Sequence, residues 1–196
     1  MLKIKFPIFV VQYKNGHVTN TDMNSFKELS TNRRSHRKFT QDPVSEEDLK
    51  TILGAALKSP SAKGLRKWHF IVTRDREKIF NLGDIRPMGS LFVAGAPAVV
   101  AVLGKPDEQE MWIEDGAIAA VSMQYQAEDL GLGSCWCQVR GRMSNEDSVT
   151  AEEKVRQILG IGNEYSVLCL IAIGHPDDVR QPQNDNALRW DQVEWK

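Results

Sequence analysis

Apolar residues recur at helical spacing after Ser45. Leu49, Ile52, Leu53, Ala56 and Leu57 fall on one face, so residues 46–58 predict an amphipathic helix with that face buried. Ser45 is the first clear helix start, followed three residues later by Asp48, an approximate capping box with Asp in place of Glu. Ser59-Pro60-Ser61 stops this helix, because the residue before a proline avoids helical angles. Trp68 to Thr73 (WHFIVT) predicts a strand with Trp68 in the core, and Asp75 to Leu82 a short helix closed by Gly83. Residues 97–104 (PAVVAVLG) form a continuous apolar run bounded by breakers, which suits a strand covered on both faces. Residues 111–130 predict a long helix rich in small side chains: Gly116, Ala117, Ala119, Ala120, Ser122 and Ala127. Small residues let another backbone approach closely, which marks this helix as central or as an interface. Gly131-Leu132-Gly133 ends it and feeds a strand near 134–139. Thr150 and Glu153 form a capping box for a helix running through Leu159 to a stop at Gly160, and Ser166 to Gly174 (SVLCLIAIG) is a buried strand. Helices and strands mix without strict βαβ alternation, so the pattern predicts an α+β sheet wrapped by helices.

The 196 residues suit one domain, and no repeat or Pro/Gly/Ser-rich linker divides them. A formal charge of −1 argues against bulk nucleic acid or an anionic membrane as the main partner. No stretch approaches the roughly 20 apolar residues of a membrane span. Three cysteines, Cys135, Cys137 and Cys169, do not form a disulfide framework, which points to a reducing cytoplasm. With His17, His36, His69 and His175 they show no ligand spacing for a metal, so no metal site is expected. The start, Met1 to Val11, reads as a short extended arm or a leader, its apolar run too short for a signal-peptide core.

The densest chemistry is Arg33-Arg34-Ser35-His36-Arg37-Lys38-Phe39 at a helix end. Guanidinium forks match phosphate oxygens in a bidentate way, and a serine hydroxyl adds a shorter bond. A solvated basic turn is the competing reading. The loop from Ser59 to Trp68 is built of small residues whose backbone can approach a flat ligand, or it is simply a connection made of turn residues. Gly131-x-Gly133 follows a helix and precedes a strand, the reverse of a dinucleotide fingerprint. Cys135 and Cys137 read either as a redox pair or as two small hydrophobes on one strand face.

Four features in order resemble the nitroreductase family of FMN-dependent NAD(P)H oxidoreductases: R-R-S-x-R-x-F from Arg33, S-P-S-A with W-x-F-I-V, E-D-G-x-x-A-A from Glu114, and L-G-L-G-S-C-W from Leu130. The resemblance runs from Ser25 to Val193, leaving residues 1–22 as an N-terminal extension ahead of a single nitroreductase-like domain over 23–196. It implies an α+β fold with a mainly antiparallel sheet flanked by helices, and a homodimer with FMN at the subunit interface. NADH or NADPH would donate hydride to the flavin and leave, and a small acceptor such as a nitroaromatic would follow by a ping-pong mechanism. No catalytic side chain is implied, because the flavin carries the chemistry.

Position by position, the resemblance places Arg33, Arg34 and Ser35 on the FMN phosphate and Arg37 toward the flavin ring. It makes Pro60, Ser61, Ala62 and Gly64 a loop laid against the ring by the partner, with Asp115 also reaching the cofactor from the partner. Gln138 and Val139 align with backbone donors at the flavin N5 edge. The family commonly has Asn where Gly64 stands and Gln-Pro where Arg66-Lys67 stand. The late basic pair that grips the phosphate in larger members has no clean match, and Arg140, Arg142 and Arg180 are the candidates. A quinone or flavin reductase is the alternative on the same fold. A non-catalytic flavin-binding protein, or a thiol redox protein using Cys135 and Cys137, is the alternative of another class.

Overall fold

Two apolar strands organise the chain. The computed structural model describes residues 24–196, together with two short strands, β1 (Gln12–Lys14) and β2 (His17–Thr19), which pair antiparallel. The arm read at Met1 to Val11 lies outside the described residues. After α1 (Phe26–Asn32), α2 (Glu46–Leu57) and β3 (Trp68–Thr73) come α3 (Arg76–Leu82), β4 (Ala98–Gly104), α4 (Trp112–Asp129), β5 (Gly133–Gln138), α5 (Ala151–Leu159) and β6 (Ser166–Gly174). The four longer strands form one antiparallel sheet in the order β3-β4-β6-β5.

The period-2 geometry of β4 divides the core into two layers. Ala98, Val100 and Val102 face one layer with Cys169, Ile171 and Ile173 of β6; Leu49, Ile52 and Ala56 of α2 and Ala119, Ala120, Met123 and Ala127 of α4 pack there. Val99, Ala101 and Leu103 face the other with Leu170 and Ala172, against Ile79 and Leu82 of α3 and Val155 of α5. Every residue of β4 is buried, as its unbroken apolar run predicts. Trp68 opens the edge strand β3 and is only half-buried, because an edge position lacks a neighbour on one side.

Two local readings change. The first helix is α1, capped by a complete Ser25/Glu28 box, upstream of Ser45. At Ser45 only half of a box forms: the Asp48 N–H donates to Ser45 Oγ, and the shorter Asp48 carboxylate accepts from that hydroxyl instead of reaching back to the backbone. Gly83 closes α3 with φ −68°, not in the left-handed region that Gly160 adopts at φ 69°. It is glycine for space, since a Cβ there would sit 2.6 Å from the Ala94 Cβ. The small residues of α4 also have a local reason. Gly116, Ala119, Ala120 and Ala127 face their own sheet, where a Cβ on Gly116 would lie 2.8 Å from Leu168.

Candidate functional site

The sequence from Arg33 to Thr40 runs between the start of β5 and the chain leaving β6. Ser35 bridges Ser134 in parallel, and the His36 N–H donates to the Ser134 carbonyl at 3.1 Å. Gly133 makes this approach possible, because a Cβ there would meet the His36 Cβ at 2.9 Å. On the other side Phe39 bridges Pro176, the Thr40 N–H donates to the His175 carbonyl, and the Asp177 N–H donates to the Lys38 carbonyl. The basic cluster is thus brought against residues 178–183.

The result is a cleft of about 290 Å³ lined by Arg33, Arg34, Ser35, Arg37, Arg180 and Gln183. Of the three late basic candidates, Arg180 is the one that lines it. Arg34 Nη1 donates to the Gln181 carbonyl at 2.5 Å, fixing that guanidinium. Asp178 organises the rest. Its carboxylate accepts from Arg180 Nε and Nη2 at 2.8 and 2.6 Å, contacts His36 Nδ1 at 2.6 Å, and accepts weakly from the Arg37 N–H at 3.4 Å. Burial pushes the Asp178 carboxyl up, but the hydrogen bonds from His36, Arg180 and the Arg37 backbone outweigh it and hold the group below its usual range. Its folded value is depressed, so the stability it contributes is full above the ordinary aspartate pKa and is lost only as pH falls through the lower folded value. The cleft therefore keeps this support at neutral pH.

The second group lies on the loop after α2. Ser61 precedes a short 3-10 turn, Ala62–Gly64, in which Lys63 (φ 53°) and Gly64 (φ 66°) are left-handed, as is Arg66 (φ 52°) just beyond. The turn is held from below. The Ala62 N–H donates to Asp115 Oδ1 at 2.8 Å, while Gln109 Nε2 donates to Asp115 Oδ2 at 3.2 Å and reaches the Ala62 carbonyl at 3.4 Å. Asp115 and Gln109 are both buried, so in this chain the Asp115 carboxylate is engaged beneath the loop. Gln109 carried no sequence signal, because its role depends on a contact with residue 62. Pro60 lines a different cavity of about 420 Å³, with Phe26 and Tyr125 among its walls. The arginine cleft and the Pro60 cavity share no lining residue.

The third group is the end of the edge strand β5. Gln138 pairs with Cys169, and the Val139 N–H donates to the Leu168 carbonyl at 3.3 Å, sharing it with the Arg140 N–H at 3.1 Å. In an antiparallel ladder alternate N–H groups face the partner strand, so the Gln138 N–H points to the open edge of β5. The Gln138 side chain is tied back, accepting from Trp136 Nε1 and donating to the Arg140 carbonyl.

Cys135, Cys137 and Cys169 are buried and free. Burial pushes all three thiols up, Cys137 to about 11, so the reactive thiolate is scarce at neutral pH. Cys135→Ser and Cys137→Ser are therefore expected to keep NAD(P)H turnover within roughly tenfold of wild type if a cofactor carries the electrons. Steady-state assays of flavin-loaded variants check this, and full loss of turnover with flavin still bound would restore a thiol mechanism. Among the described residues no group of three or more His, Cys, Asp or Glu side chains is placed to hold a metal ion, and no helix is long and apolar enough to cross a membrane.

Comparison with known proteins gives a consistent picture. A solved FMN-dependent nitroreductase from Clostridium difficile R20291 is 42% identical and superposes with a TM-score of 0.83, covering 85% of this chain and 96% of that one. A Methanothermobacter thermautotrophicus protein, named as a candidate NADH dehydrogenase/NAD(P)H nitroreductase, is 33% identical over 192 residues, 93% of this chain and 95% of the relative. An NADPH-flavin oxidoreductase of Vibrio harveyi is 27% identical, covering 79% of this chain and 67% of that protein. The sequence profile of the Nitroreductase family matches residues 31–86 and 84–175. With its antiparallel sheet between two helical layers and its arginine cleft at the β5 edge, the chain belongs to the Nitroreductase family.

Proposed function

We propose that this chain is an FMN-dependent NAD(P)H oxidoreductase that reduces a small oxidised acceptor, a nitroaromatic in the leading reading, as a cytoplasmic homodimer. The observation that carries the reading is the donor set of the 290 Å³ cleft: four guanidiniums, a serine hydroxyl and a glutamine amide, with no carboxylate among the lining residues. Such a set fits a phosphate dianion, because guanidinium forks bind its oxygens by strong charge-assisted bonds. Bound FMN would supply hydride acceptance from the nicotinamide and delivery to the acceptor. Arg33, Arg34, Ser35 and Arg180 would grip the phosphate end, and Arg37 would reach toward the flavin ring. The Gln138 N–H, on the open edge of β5, would orient the reactive edge. Donor and acceptor use one pocket in turn, so parallel double-reciprocal plots are expected. The kinship with the Vibrio flavin oxidoreductase supports a second reading, reduction of free flavins, and an acceptor panel separates it from nitroreduction and from quinone reduction on the same fold.

The homodimer reading rests on apolar surface that one chain leaves uncovered. Ile118 and Val121 lie exposed on α4, and Trp190 (62%) and Trp195 (86%) on the C-terminal segment. Exposed aromatic and aliphatic groups on this scale suit burial against a second copy. If the phosphate cleft of one subunit and the 60–64 loop of the other make one site, cofactor binding and dimerisation are coupled. Saturating FMN is then expected to raise the melting temperature, by about 2.7 kcal/mol of stabilisation at 100 times Kd. The purified protein is expected to be yellow, to bleach with NADH or NADPH, and to sediment as a dimer. A 22.1 kDa monomer that still turns over NAD(P)H would overturn the shared site.

A further inference from the structure

We propose that Arg86 is a positioning residue of the redox site: its guanidinium clamps the last peptide of β5 to the 86–90 turn, and so sets both the electron affinity of the bound flavin and the placement of an apolar acceptor wall. The proposal rests on the FMN reading above. Arg86 Nη1 donates to the Gln138 carbonyl at 2.8 Å, and Arg86 Nε donates to the Met88 carbonyl at 2.9 Å. One planar fork therefore joins the Met88 and Gln138 carbonyls, a task the single point charge of lysine cannot repeat.

The surrounding turn is built around this side chain. Gly89 has φ 83°, and a Cβ there would lie 2.7 Å from Arg86 Nη2, so glycine leaves the guanidinium room to cross the turn. Ser90 Oγ closes the turn from behind, donating to the Gly83 carbonyl at 2.8 Å. Cys137 Sγ contacts the Gly89 carbonyl at 3.6 Å, packing the turn on β5. Met88 and Leu91 stand out from it, 81% and 80% exposed.

The clamp also has an electrostatic consequence. Among the described residues Arg86 pairs with no carboxylate, so its charge is spent only on neutral carbonyls. The carbonyl it grips stands at the end of β5, while the Val139 N–H of the same peptide is held by the Leu168 carbonyl within the sheet, so what the clamp brings to that edge is its charge. A fixed cation at the end of β5 favours the more negative, reduced state of a cofactor held beside that peptide. The turn carries Met88 and Leu91 with it, so the same contact places two apolar side chains for a neutral aromatic acceptor.

The test uses flavin-loaded protein and three variants, Arg86→Met, Arg86→Lys and Gly89→Ala, with menadione as a neutral acceptor. The midpoint potential of bound FMN is read by spectrophotometric redox titration, alongside FMN affinity and the menadione KM. Arg86→Met is expected to shift the potential negative and raise the menadione KM several-fold, with FMN still bound. Arg86→Lys is expected to keep most of the potential, because it keeps the charge, but to raise KM, because it cannot hold both carbonyls. Gly89→Ala, which dislodges the guanidinium without removing it, is expected to act in the direction of Arg86→Met and carries the test if that variant does not fold. A potential unchanged in Arg86→Met, or in Gly89→Ala where it stands in, overturns the inference. Wild-type protein that binds no FMN at all overturns the FMN reading instead.

Discussion

Arg33→Ala is expected to weaken FMN binding roughly 10- to 150-fold, while Lys38→Ala leaves it nearly unchanged. The magnitude follows from one lost charge-assisted hydrogen bond, about 1.5–3 kcal/mol, at tenfold per 1.4 kcal/mol. The comparison controls for charge, since each variant removes one cation from the same segment. They differ in placement. Arg33 lines the cleft, and its guanidinium carbon lies 6.0 Å from the Tyr125 ring centroid, whereas Lys38 is exposed outside the cleft. At physiological salt an exposed charge is felt only over about 8 Å, so Lys38 contributes little to a phosphate it does not touch. Arg33→Lys should fall between the two, keeping the charge and losing the fork. Fluorescence titration of apo-protein with FMN at fixed salt measures all three. Equal affinities for Arg33→Ala and Lys38→Ala would remove Arg33 from the site.

What was legible in the sequence is what local rules decide. The apolar runs of β4 and β6 require cover on both faces, and they received it from α2 and α4 on one side and α3 and α5 on the other. α1 escaped the hydrophobic pattern because it buries none of its residues, although its Ser25-x-x-Glu28 box stood in the sequence. Gly83 closes α3 where the sequence places it, but why the residue is glycine lies in the Ala94 side chain, a tertiary neighbour no local rule contains. The small residues of α4 were correctly singled out as a place of close approach, yet they face the protein's own sheet, and the exposed stripe is Ile118 and Val121. The arginine cluster was visible as composition. The choice of Arg180 over Arg140 and Arg142 was not, because it depends on Asp178 and on the path of the chain after β6. The holding roles of Gln109 and of Arg86 leave no trace in the sequence for the same reason: each acts on the backbone of a residue distant in sequence.

Asp115→Ala is expected to cost the largest share of stability of any substitution near the site. It takes the carboxylate acceptor from two donors, the part-buried Ala62 N–H and the buried Gln109 amide, which keeps only its long contact to the Ala62 carbonyl, at up to about 1–3 kcal/mol each. That is a large fraction of the roughly 5–15 kcal/mol by which a domain of ordinary stability is held folded. The loss falls first on the 62–66 turn, which holds three residues at positive φ, two of them non-glycine, and depends on the Asp115 contact to keep that conformation. Asp115→Asn should be milder, since its carbonyl oxygen can still accept from Ala62. Urea unfolding of the apo-protein gives the stability term free of cofactor, and FMN titration of the folded variant gives the binding term. If the carboxylate works beneath the loop, the two fall together and Asp115→Asn recovers part of both. If Asp115→Ala unfolds like wild type and loses only FMN affinity, the carboxylate works by touching the cofactor directly, and its bonds to Ala62 and Gln109 are incidental to the site.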